Sequence, residues 1–67
     1  MSVHKVIEIM ADSKKGWEDA AQSAVATASK SVNNIKSVWV KDQSAIVKDG
    51  KIASYRITCK ITFAVGK

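Results

Sequence analysis

Proline is absent from this sequence, cysteine occurs once, and the aromatic residues are only Trp17, Trp39, Tyr55 and Phe63. With no proline there is no stiff extended linker to separate units, and no repeat or low-complexity segment takes its place. A lone Cys59 excludes an intramolecular disulfide. Together with His4 it also falls short of the clustered spacing of a structural zinc site. No stretch approaches the ~20 apolar residues of a membrane span, and the N-terminus lacks the charged-then-apolar pattern of a secretory signal. Those two absences and the unpaired thiol lead us to expect a cytoplasmic protein in a reducing compartment.

Chemistry of the usual catalytic kinds is missing as well. The carboxylates are scattered, Ser37 and Ser44 have no base positioned beside them, and there is no glycine-rich phosphate loop. His4 belongs to a different segment from Cys59, which therefore reads as a small buried hydrophobe and not as a nucleophile. An enzyme is not expected. The net charge of +5 raises nucleic acid as a partner, but the lysines are spread along the chain with no basic run and no aromatic-rich RNA-binding motif. Neither nucleic acid nor membrane is expected as a partner.

Present instead is a long alternating pattern from Ser37 to Val65, broken at Lys48-Asp49-Gly50-Lys51. An Asp-Gly pair between alternating runs is the strongest local signal for a β-hairpin with a two-residue type I′ turn. Counted outward from that turn, Lys48 faces Lys51, Ile46 faces Ala53, Val40 faces Cys59 and Val38 faces Ile61. One face is then apolar, although Asp42 falls on it beside Ile57. The other sets Ser37, Trp39, Lys41, Gln43 and Ala45 opposite Thr62, Lys60, Thr58, Arg56 and Ser54. A polar face that holds an indole is where binding is expected. Trp39 opposite Lys60 fits either a cation-π pair or ligand stacking. Arg56 opposite Gln43 fits either a cross-strand pair or ligand contacts.

Upstream, residues 2–10 are rich in β-branched side chains and read as a strand with Ile7 and Ile9 inward. Asp12 or Ser13 is positioned to cap a following helix. Trp17, Ala20, Ala21, Ala24, Val25, Ala28 and Val32 recur at helical spacing, with Trp17 in the core, and Asn33-Asn34 closes the helix. The order is β-α-β-β, an α+β unit in which the last strand fills a gap between two parallel neighbours as one antiparallel three-stranded sheet curled around the helix.

A helix stripe made mostly of alanine buries little area. A chain of this length hides only about 60% of its unfolded surface, so residues 1–67 form a single marginal domain that needs other copies to cover it.

The strand Lys5-Val6-Ile7-Glu8-Ile9 with Ala11-Asp12-Ser13, the helix start Trp17-Glu18-Asp19-Ala20, Val32-Asn33-Asn34-Ile35, and Asp49-Gly50-Lys51 followed by Tyr55-Arg56-Ile57-Thr58 and Phe63 together resemble the dodecins over nearly the whole chain. The resemblance implies a hollow homododecamer that stores or sequesters a flavin (riboflavin, FMN or FAD) without turnover. It also implies two flavin-binding positions, a stacking Trp and a hydrogen-bonding Gln, which fall here at Ser37 and Arg56. Ser37 offers no ring. Trp39, two residues on and on the same face, could stack from a displaced position, with Arg56 and Gln43 supplying polar contacts to a flavin or another nucleotide. The chain is also similar to a dodecin branch that lacks the stacking Trp and is linked to calcium. Calcium would have to gather Glu8, Asp12 or Asp42 from more than one subunit, since no dense carboxylate loop exists. The other alternative is a structural shell that binds nothing.

Overall fold

A computed structural model describes residues 2–66. Strand β1 (Val3–Ser13), helix α1 (Trp17–Ala28), strand β2 (Ile35–Lys48) and strand β3 (Lys51–Val65) follow in that order. The sheet runs β1-β3-β2, with β3 antiparallel to both neighbours. β3 is the middle strand, and its odd residues Ile57, Cys59 and Ile61 are completely buried. Ala20, Ala24 and Ala28 lie against them, a four-residue repeat that brings one bare stripe of the helix onto the sheet. Ile7, Ile9, Ala11, Trp17, Val25, Val32 and Val40 close the margins of this core.

The turn is as the sequence requires. Asp49 at φ 53° and Gly50 at φ 75° both take the left-handed conformation that a type I′ turn needs, and Lys48 pairs with Lys51. Val40 opposite Cys59 and Val38 opposite Ile61 are also found.

Between those anchors the register departs from simple counting. It shifts between Val40 and Asp42, where Lys41 is extra on β2, and again between Ile46 and Val47, where Ala53 is extra on β3. Within the stretch so enclosed every pair moves by one: Ile46 faces Ser54 and not Ala53, Ala45 faces Tyr55, Gln43 faces Ile57 and not Arg56, and Asp42 faces Thr58. A one-residue shift exchanges the faces. Asp42 therefore leaves the apolar side and joins the polar one, which removes the conflict in its expected position, while Gln43 goes the other way.

The helix stops earlier than its stripe suggests, at Ala28 and not Val32. The chain tightens there into bonds from Lys30 N–H to Thr27 C=O and from Ser31 N–H to Ala28 C=O, with three-residue spacing. Val32 still packs on the core from this turn. Asn34, at φ 64°, then redirects the chain into β2. At the other end Gly16 is the N-cap and no side chain caps the helix. Ser13 instead accepts from the Lys15 N–H (2.9 Å) and donates to the Asp19 carboxylate (2.7 Å), whereas Asp12 turns away to β3.

The molecule is long for its size, 51 × 19 × 13 Å with a radius of gyration of 13.7 Å. A compact chain of this length has a radius of about 11 Å. Its accessible surface of 4997 Å² likewise exceeds the roughly 4,100 Å² of a compact monomer of this mass. Val3, Val6, Met10, Trp39, Val47 and Ile52 are more than half exposed.

Candidate functional site

The face of the sheet turned away from the helix carries the polar set. Along β3 it presents Thr62, Lys60, Thr58, Arg56 and Ser54, alternating with the buried residues of the core. β1 contributes Glu8, Met10 and Asp12 opposite Lys60, Thr58 and Arg56. β2 contributes Ser37, Trp39, Asp42 and Ser44 opposite Thr62, Lys60, Thr58 and Arg56.

Trp39 is 61% exposed, and the Lys60 ammonium lies 5.3 Å from its ring centroid, so the expected cation-π pair is present. Glu8 also neighbours Lys60 in the ladder, and the bulged Lys41 reaches across β3 to it, Nζ to Oε2 at 3.4 Å. The bulge thus aims Lys41 over the sheet instead of along it. Ser37 sits one pleat from Trp39, about 6.6 Å along the strand, exposed and without a ring to offer.

Arg56 is engaged. Its Nε donates to Asp12 Oδ1 at 2.7 Å and its Nη2 to Oδ2 at 3.1 Å. This bidentate hold, through its hydrogen bonds and then the neighbouring positive charge, keeps the Asp12 carboxyl below the usual carboxylate range. The same bonds and the carboxylate charge raise the Arg56 pKa. Gln43 lies on the opposite face, across from the buried Ile57. Of the four residues expected to bind, Ser37, Trp39 and Arg56 therefore share a surface and Gln43 does not.

Near the helix start, Trp17 donates its indole N–H to the Ser44 carbonyl at 2.9 Å and meets Tyr55 edge to face, with centroids 4.9 Å apart. It serves packing, as expected of a core aromatic. Cys59 is fully buried, and loss of solvent pushes its thiol pKa up, which suits a hydrophobe and not a nucleophile. His4 is exposed.

Sequence reasoning did not find Asp12 as a partner of Arg56 or Glu8 as a partner of Lys41. Each pairing depends on how β1 aligns with β3, which no turn specifies. Among the described residues no group of three or more His, Cys, Asp and Glu side chains comes together. In one chain Glu8 lies against Lys41 and Asp12 against Arg56. Among the described residues no helix is long and apolar enough to cross a membrane.

The family model described as Dodecin matches residues 3–66. The calcium dodecin of Mycobacterium tuberculosis is 40% identical over 63 residues, covering 94% of this chain and 89% of that protein. Its crystal structure, described as a calcium-chelating immunodominant antigen with a novel calcium-binding site, superposes with a TM-score of 0.81 at 43% identity, over 92% of this chain and 89% of the other. An arginine-to-alanine variant of the Thermus thermophilus dodecin gives a TM-score of 0.93 at 24% identity with full coverage of both chains, a likeness of fold.

Proposed function

This chain belongs to the dodecin family, and from that premise we propose that it is a non-enzymatic homododecameric shell whose ligand sites form where subunits meet, with a divalent cation, calcium, as the ligand. The observation that carries the choice of ligand is the composition of the outer face. At the position where the resemblance asks for a stacking ring there is Ser37, and the aligned polar position is an arginine already closed by Asp12. A flavin would find neither of its two expected partners.

Carboxylates are the remaining resource of that face. Asp42 is exposed there opposite Thr58, and among the described residues it makes no ion pair. A calcium ion takes six to eight oxygens, so roughly that number must be collected from neighbouring chains around Asp42, Glu8 or Asp12. The M. tuberculosis relative, named for calcium, supports this reading. The elongated shape and excess surface support the assembly.

A second reading rests on Trp39. Its exposed indole, with Lys60 over the ring, can stack a flavin ring displaced by one pleat from Ser37.

Equilibrium dialysis of chelator-stripped protein against labelled calcium tests the first reading, which expects saturable binding by the assembled protein. Absence of saturable binding contradicts it. Riboflavin titration, followed by quenching of flavin emission, tests the second. Quenching that survives in Trp39→Ala rules out the displaced stack.

A further inference from the structure

The Arg56–Asp12 pair has the form of an occupied receptor. A guanidinium offers two parallel N–H bonds to any oxyanion of suitable width, so a carboxylate bound through both oxygens fills the place a phosphate would take. The pair is not sealed in the core. The side chains of Arg56 and Asp12 are 42% and 48% exposed, and solvent reaches them.

Beside them lies a depression of about 310 Å³, lined by Asp12, Ser13, Lys14 and Ser54 where β1 leaves the sheet. Ser54 precedes Arg56 by two residues on β3 and so shares its face. The Ser13 hydroxyl is committed to Asp19. Without the Asp12 carboxylate, the wall of this depression and its neighbour Arg56 present a guanidinium, an ammonium and the Ser54 hydroxyl, with the Asp19 carboxylate bonded to Ser13 as the negative group beside them. Asp42 is the other carboxylate nearby on this face, two residues from Ser44, which stands opposite Arg56. Glu8 is held farther along by Lys41.

We propose that Arg56, Lys14 and Ser54 form a receptor for a phosphate or diphosphate group, and that Asp12 is its built-in occupant, which makes the native chain refuse anionic ligands. Asp12 is then a specificity-determining residue. It is tethered directly opposite Arg56 in the ladder, so its competition is intramolecular and is present at every concentration of a dissolved anion. The proposal requires that calcium at the subunit contacts be gathered by Asp42 or Glu8 and not by Asp12, whose two oxygens are on Arg56.

Calorimetric titration with inorganic pyrophosphate at low salt tests it on the assembled native protein, on Asp12→Asn and on the double variant Asp12→Asn/Arg56→Gln. Asp12→Asn should bind at least about tenfold more tightly than the native chain, and the double variant should lose that gain. Equal binding by the native chain and Asp12→Asn overturns the proposal, because Asp12 then excludes nothing. A gain that persists without Arg56 also overturns it, since the guanidinium then takes no part; Asp49→Asn in the distant turn raises the net charge by the same single unit as Asp12→Asn, and an equal gain there would assign the effect to charge alone and overturn the proposal as well. Riboflavin compared with riboflavin 5′-phosphate forms a second arm: in Asp12→Asn only the phosphorylated form should gain affinity, and an equal gain by both counts against phosphate recognition. Asp12→Ser removes the same charge with a smaller side chain and serves if Asp12→Asn does not fold.

Discussion

Gln43 and Arg56 occupy opposite faces of one sheet: Gln43 stands across from Ile57 at the buried center, and Arg56 stands across from Ser44 on the outer surface. Counted from the turn, the extra residue Ala53 on β3 produces this separation, and Lys41 on β2 restores the count beyond it. The two side chains should therefore act independently. In a double-mutant cycle, Gln43→Ala and Arg56→Ala should be additive within about 0.3–0.5 kcal/mol by chemical denaturation. A larger coupling would mean that they touch and that the bulge is misplaced.

Helix and sheet meet through alanine, and Ala20 is completely buried. Nothing between the two layers has room to yield. Ala20→Leu should cost about 1–3 kcal/mol by overpacking, measured as a shift of the denaturation midpoint, whereas the same change at the exposed Gln22 should be nearly silent. Equal effects at both sites would contradict the close approach.

The type I′ turn depends on a positive φ at Gly50. Open space surrounds the position, so a methyl group there meets no neighbour and only backbone strain is at issue. Gly50→Ala should destabilise by about 1 kcal/mol, read from thermal unfolding, while Asp49→Asn should be tolerated because Asn also accepts the left-handed conformation. A neutral Gly50→Ala would show that the turn is not of this type.

Acid should act through Asp12. Its folded pKa lies below the unfolded value, so its contribution is complete above the unfolded carboxylate pKa of about 4 and disappears as pH falls through the folded pKa. Arg56, raised from an already high value, stays charged throughout that range. Unfolding midpoints compared between native chain and Asp12→Asn should differ at neutral pH and converge below about pH 4. A gap that persists in acid would assign the effect to packing and not to charge. The pair is solvent-exposed, and the gap should shrink with added salt.

The elements were legible because each is written locally. Asp49-Gly50 announces the hairpin, the spacing of Ala20, Ala24 and Ala28 announces the helix, and alternation through Ile57, Cys59 and Ile61 announces the middle strand. Strand order followed from chain order, since only β3 can fill the space between β1 and β2. The extra residues Lys41 and Ala53 were not legible. A bulge breaks no local preference, and its one clue was Asp42, a charge that even counting had placed on the apolar face beside Ile57. Asp12 was misread for a related reason: a carboxylate before a helix has the form of a cap, and its true partner lies 44 residues away. The outer surface around Trp39 and Ser37 was readable, whereas the ion pairs that cross it depend on the β1–β3 alignment.

One experiment bears on the whole reading: the mass of the purified protein in dilute solution, by light scattering coupled to size exclusion. The chain has one thin core and an excess of surface, so the particle expected is a dodecamer that loses its folded structure when it dissociates. A cooperatively folded single chain at low micromolar concentration would contradict it.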